Sequence, residues 1–188
     1  MRPPLWGNFI AYADWDLASF AWLFRGGLRV PSYYHATQAL EKYLKSLALS
    51  IIDPNGTTET PNNNRWLRDH NLERLASRCA AQYPYYGQPE TLARLRRFSE
   101  FDQRARYPWV EQQHGNGFTS EDVPLFWELF LHLRVDIPIK VDDYPLGMLI
   151  RGHHQGHPEN LTAPMFDLAD CRTAVQLMFP EVNKIVRW

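Results

Sequence analysis

Residues 33–49 read YYHATQALEKYLKSLAL, and two stripes run through them. Ala36, Leu40, Tyr43/Leu44 and Leu47 recur at helical spacing, which predicts an amphipathic helix with one apolar face. Gln38, Glu41/Lys42 and Lys45 make a second, polar stripe. Glu41 precedes Lys45 by four residues, an order that contributes about 0.3–0.5 kcal/mol on an exposed helix face. The apolar stripe suffices to fold this helix. The polar stripe is therefore either solvated surface or a working face.

Reading outward, the helix is expected from about Pro31-Ser32, with proline tolerated in its first turn, to about Ile52. Before it, Phe9, Tyr12/Ala13, Asp16/Leu17, Phe20 and Leu23/Phe24 keep helical spacing from Trp6 to Arg25, and Gly26-Gly27 stops them. After it, Asp53 to Asn64 (DPNGTTETPNNN) is rich in turn formers and reads as a mobile surface loop. A third helix is expected over Asn71–Gln82, burying Leu72, Leu75 and Ala76/Cys79, and a fourth over Glu90–Tyr107, stopped by Pro108. QQHGNG, Gln112 to Gly117, is the expected boundary between a first unit, 1–111, and a C-terminal extension, 112–188, packing on the same core. There Ser120 caps a helix running to about Arg134. Residues 136–164 hold many Pro and Gly, with a short β pair expected near Ile137–Val141 and Met148–Ile150, and a closing helix over Met165–Phe179. The fold class is all-α, an up-and-down bundle of about five or six helices.

At 188 residues, 45% of them hydrophobic and 22% charged, the chain has the composition of a globular protein with a real core. The net charge is −1, unevenly spread. Residues 65–109 carry nine Arg against five acids, whereas residues 110–188 carry six basic against eleven acidic residues. The middle segment is thus the one electrostatically suited to phosphates. Cys79 and Cys171 form no CxxC pair, which argues against a disulfide framework or a cysteine zinc site and favours a reducing, cytoplasmic setting. The opening MRPPLWGNFIAYADWD lacks an apolar run after a basic start and is not expected to be a secretory signal. No stretch of about 18 apolar residues appears, so no membrane span is expected.

The region from Ala18 to Leu49 resembles the start of HEPN (higher eukaryotes and prokaryotes nucleotide-binding) domains. In that family a helix ending at Gly is followed by one with an S-x-x-H-x-x-Q-x-x-E-K-x-x-K pattern, here Ser32, His35, Gln38, Glu41, Lys42 and Lys45. His70-Asn71-Leu72-Glu73-Arg74-Leu75 is similar to the family's H-D-L-x-x-L block, and Ala105-Arg106-Tyr107-Pro108 to its x-R-Y-P block. Three blocks in order make the resemblance fairly specific across about 12–108. It implies an all-α bundle, commonly a homodimer, that binds nucleotide or RNA without a cofactor. Many members are metal-independent ribonucleases, often toxins, in some cases paired with a small nucleotidyltransferase or an antitoxin.

Those ribonucleases carry an Arg-x4–6-His motif, in which His exchanges protons with the 2′-OH or leaving oxygen and Arg stabilises charge on the phosphate. Arg29/His35, Arg65/His70 and Arg151/His157 all fit by count, but the chain's sixteen Arg and seven His produce about two such matches by chance. Position favours Arg65/His70, since His70 also belongs to a family block, although the family's usual slot is near Arg104 and Arg106. The candidate catalytic residues are therefore His70 with Arg65 or Arg106. The candidate nucleotide-binding residues are Gln38, Glu41, Lys42, Lys45, Arg104 and Tyr107, the last as a stacking ring, with Arg94, Arg96 and Arg97 as further cations. His153 and His157 are a weak zinc candidate on a loop, completed by Asp142 or Glu159. Three functions follow: a nucleotide- or RNA-binding protein, a metal-independent ribonuclease, or a non-catalytic helical interaction protein.

Overall fold

The structure, a computed structural model, describes residues 5–25, 27–55, 65–106 and 122–137, with side chains past Glu100 given only for part of 122–137. The expected β pair past residue 137, the closing helix over 165–179 and the 112–117 boundary lie outside the described residues. Those described are all-α: α1 (Leu5–Arg25), α2 (Arg29–Ile52), α3 (Leu72–Cys79), α4 (Pro89–Arg106) and α5 (Asp122–Asp136). Short 3-10 turns at Arg65–Arg68 and Pro84–Gly87 precede α3 and α4. No helix among the described residues is long and apolar enough to cross a membrane.

The α1–α2 junction is a Schellman stop. Leu28 N–H donates to the Leu23 carbonyl at 2.9 Å and Gly27 N–H to the Phe24 carbonyl at 3.1 Å. The motif needs a left-handed residue at its centre, and Gly27 supplies it with φ +78°. Helix α2 starts two residues before Pro31, so this proline sits where its missing N–H leaves no intrahelical bond unmade.

Helix α2 is the central element and packs against the other four. Its Leu40, Tyr43, Leu44 and Leu47 are fully buried against Ile10, Ala13, Leu17 and Phe20 of α1. Each such side chain contributes about 1.5–3 kcal/mol of transfer free energy. Helix α5 belongs to the same core: Phe126 packs at a tilt against Phe20 at 4.7 Å and Phe130 against Tyr43 at 5.6 Å, centroid to centroid. Its first residue, Asp122, receives a bidentate bond from Arg97 of α4 at 2.6 and 3.0 Å. At its other end, the Tyr86 hydroxyl donates to Asp136 Oδ2 at 2.8 Å and the Tyr83 hydroxyl to the Asp136 carbonyl at 3.1 Å. Burial raises the Asp136 carboxyl above the usual range, partly opposed by the Tyr86 hydroxyl and by His132.

Helix α3 is shorter than its apolar spacing suggests. Asn71 is its N-cap, accepting the Arg74 N–H at 3.0 Å, and the helix ends at Cys79. The chain then turns tightly at Pro84–Gly87. A Cβ on Gly87 would lie 3.0 Å from the Ala80 side chain, a contact that closes the α3–α4 corner.

Candidate functional site

The α2 polar stripe is not a wet surface. At about 100° per residue, Glu41, Lys45, Gln38, Lys42 and His35 occupy a continuous arc of about 120°. One edge of that arc faces the start of α3 and the other faces α1. Glu41 and Lys45 are 5% and 3% exposed, and the Lys45 ammonium donates to Glu41 Oε1 at 2.6 Å. A pair this dry loses much of its Coulomb gain to desolvation, so it adds little net stability.

The third member comes from outside the helix. His70 stands just before the α3 N-cap, where the chain is fixed by one local and one long-range hydrogen bond. Asn71 N–H donates to Asp69 Oδ1 at 3.0 Å, and Leu72 N–H to Ser99 Oγ of α4 at 3.2 Å. This geometry sets His70 Nδ1 at 3.0 and 3.1 Å from the two Glu41 oxygens. A carboxylate can only accept, so Nδ1 donates, and in the neutral ring Nε2 carries the lone pair. The ring is 59% exposed. Glu41 thus links a buried ammonium to an imidazole that reaches solvent.

At the other edge of the arc, Asp16 of α1 accepts from Lys42 Nζ at 2.5 Å and meets His35 Nδ1 at 2.9 Å. Lys42 also donates to Gln38 Oε1 at 3.1 Å. Next to Lys42, the Tyr43 hydroxyl donates to buried Asp14, a second polar tie between α1 and α2. The arc therefore carries two carboxylate–imidazole pairs, one at each edge, with both lysines between them.

Of the residues expected from sequence, Glu41, Lys45 and His70 meet directly, and Gln38 and Lys42 meet each other beside them. Arg65 is exposed at the start of its 3-10 turn, and no hydrogen bond joins it to His70. The side chains of Arg104 and Arg106, in the last turn of α4, lie outside the described residues, as do Tyr107, Asp142, His153, His157 and Glu159. The other Arg-rich positions of α4 bind neighbouring carboxylates. Arg94 reaches Glu90 and Glu128 at 2.9 and 2.8 Å, Arg96 reaches Glu73 at 2.7 Å, and Arg97 reaches Asp122. Asp16 and His35 were absent from the sequence-derived site. Asp16 shares its helical step with Leu17, and an acid at an apolar step was the available signal. Among the described residues no group of three or more His, Cys, Asp and Glu side chains could hold a metal.

Compared with known proteins, the chain matches no family model, no curated protein and no solved structure.

Proposed function

We propose that this chain is a HEPN-like nucleotide- or RNA-binding protein that uses the polar arc of α2, with Lys42 and His70 meeting the phosphate and its neighbours and the buried Gln38, Glu41 and Lys45 holding them in position. The observation that carries this reading is the Glu41 carboxylate held between Lys45 and His70 Nδ1. A buried ion pair of small net stability is best accounted for by the group it positions, here an exposed imidazole. Phosphate suits this face because the Lys42 ammonium and, when the ring is protonated, His70 Nε2–H would make charge-assisted bonds to its oxygens. Two copies of the chain would present two such faces.

The test is a titration of purified protein with fluorescent AMP and with mixed single-stranded RNA, at low and at raised salt. Binding should weaken as salt rises, and His70→Ala should weaken it about tenfold, the loss of one charge-assisted bond. A folded wild-type protein with no salt-sensitive binding to either probe refutes the reading.

A ribonuclease reading is favoured by the same dyad. An imidazole whose Nδ1–H is fixed by a carboxylate presents Nε2 as a base for the 2′-OH, as nucleophile activation requires. His70 Nε2 would take the 2′-OH proton as the 2′-oxygen attacks phosphorus, the 5′-oxygen would leave with a proton from water, and Arg65 or Arg106 would stabilise the phosphorane charge. Cleavage of RNA that resists chelator and disappears in His70→Ala supports it. Intact RNA after incubation with wild-type protein leaves binding alone.

A further inference from the structure

The arginines of the middle segment fall into two groups on the folded chain. On α4, Arg94, Arg96 and Arg97 have N–H groups taken by Glu90, Glu128, Glu73 and Asp122. The stretch before and along α3 differs. Residues 65–78 carry Arg65, Arg68, Arg74 and Arg78 against Asp69 and Glu73, and all four arginines are exposed.

Helix α3 sorts these charges by direction. At about 100° per residue, Arg74 and Arg78 stand about 40° apart and about 6 Å apart along the axis, one row on the side away from Leu72, Leu75, Ala76 and Cys79. Glu73 stands about 100° from Arg74 and about 140° from Arg78. Arg96 of α4 holds both its oxygens, at 2.7 and 3.1 Å. The acid of α3 therefore leaves the row positive.

The contacts of the two guanidiniums decide what they can still bind. Arg78 lies over the Trp66 ring, its Cζ 5.0 Å from the centroid, and Trp66 is itself packed against the core. A ring takes the flat face of a guanidinium and leaves its N–H edge for an acceptor, whereas a carboxylate takes the edge. Among the described residues no carboxylate is bonded to Arg78. Arg74 is 75% exposed and approaches Asp69 Oδ2 only to 3.8 Å, beyond hydrogen-bond range. Asp69 directly precedes His70, so the row starts beside the segment that carries the exposed imidazole.

Two guanidinium edges one helical turn apart suit an anion that repeats along a chain. Each phosphodiester presents two free oxygens, which such an edge takes bidentately. We propose that Arg74 and Arg78 bind the backbone of a single RNA strand on its way to or from His70, so that the ligand is a polynucleotide rather than a mononucleotide. The proposal rests on the nucleotide-binding reading above and adds the path of the strand. Continuity with the His70 segment selects RNA over an acidic peptide, since neighbouring phosphates of one strand can then meet His70 and the row together.

Anisotropy of labelled oligoadenylate RNA of about a dozen nucleotides, titrated at several salt concentrations, tests it, with AMP competition as the second readout. Arg74→Ala/Arg78→Ala should weaken the oligonucleotide about tenfold and reduce the salt slope by about 1.4, the contribution of two phosphate contacts on a single strand. AMP competition should shift less than about twofold, since AMP has no second phosphate to place on the row. Arg74→Lys/Arg78→Lys keeps both charges and should keep the wild-type slope; a slope as shallow as that of the alanine pair overturns the proposal. If the alanine pair binds oligonucleotide like wild type while His70→Ala does not, the row is refuted and the nucleotide site stands. If wild type binds neither probe, both fall. If polyglutamate of equal charge displaces the RNA as well as unlabelled oligoadenylate does, the row takes acidic peptides and the proposal is overturned.

Discussion

Replacing Glu41 by Leu leaves the Lys45 ammonium, itself 3% exposed, without the carboxylate it donates to at 2.6 Å. Breaking a buried pair from one side costs about 3–5 kcal/mol, a large part of the 5–15 kcal/mol typical of a domain. Lys45→Met should cost less, at or below about 3 kcal/mol, because Glu41 keeps the His70 Nδ1–H bonds at 3.0 and 3.1 Å. Replacing both, as Glu41→Leu/Lys45→Met, removes the two charges together and should return stability to within about 1 kcal/mol of wild type. The double variant would then be far more stable than the sum of the single losses, a coupling expected only for groups in direct contact. Urea unfolding followed by far-UV circular dichroism measures all four proteins, with unchanged denaturant slopes confirming that the same transition is compared. A Glu41→Leu loss below about 1 kcal/mol, or additive losses in the double variant, would refute the description of the pair as buried and coupled. The double variant also separates folding from function: it should fold well and bind nucleotide poorly.

Asp136 gives a pH test. Its folded-state pKa is raised, chiefly by burial, so its favourable contribution is complete below the unfolded carboxyl value and is lost as pH rises through the folded one. As the last residue of α5 it also sets a negative charge at the negative end of the helix dipole. Asp136→Asn should therefore gain on wild type as pH rises from about 3 to 7, ending about 0.3–1 kcal/mol more stable, and a loss above about 1 kcal/mol at pH 7 would contradict this. The Cys79 thiol is buried and pushed up to about 12, first by burial and then by the Asp136 charge. In a Cys171→Ser background the native protein should resist thiol labelling at pH 8, reacting at the rate of unfolding; labelling as fast as a free thiol would show the site to be open.

The helices were legible because each has a pattern that only one geometry satisfies. Leu40, Tyr43/Leu44 and Leu47 repeat at helical spacing, and Gly27 sits where a left-handed stop is needed. Boundaries of α1, α2 and α4 fall within about two residues of expectation, within the usual latitude of helix ends. Helix α3 ends at Cys79, and just beyond it Gly87 comes so near Ala80 that a Cβ there would lie 3.0 Å from its side chain, a tertiary closeness absent from local spacing. The site was legible in part. Glu41 and Lys45 read as a minor surface pair, since i,i+4 spacing is blind to what packs beside it, here the His70 segment bonded to Glu41. Asp16 was hidden because its partners lie 19 and 26 residues away in sequence. The Arg-rich face of α4 read as phosphate-binding, but spacing within one helix does not reveal Glu73, Glu128 and Asp122 on its neighbours.

The Gly27 hairpin has a further consequence for how such a site could diversify. Asp16, His35, Gln38, Glu41, Lys42 and Lys45 all come from the contiguous stretch Leu5–Ile52, whereas His70 comes from a short non-helical segment ahead of Asn71. That segment is held by the Asp69 carboxylate and by Ser99, not by helical periodicity, so the side chain at position 70 can change without disturbing α2. The hairpin acts as a fixed socket and residue 70 as an interchangeable fitting. Chemistry at the outer edge of the Glu41–Lys45 pair can be exchanged by one substitution, with the bundle left intact.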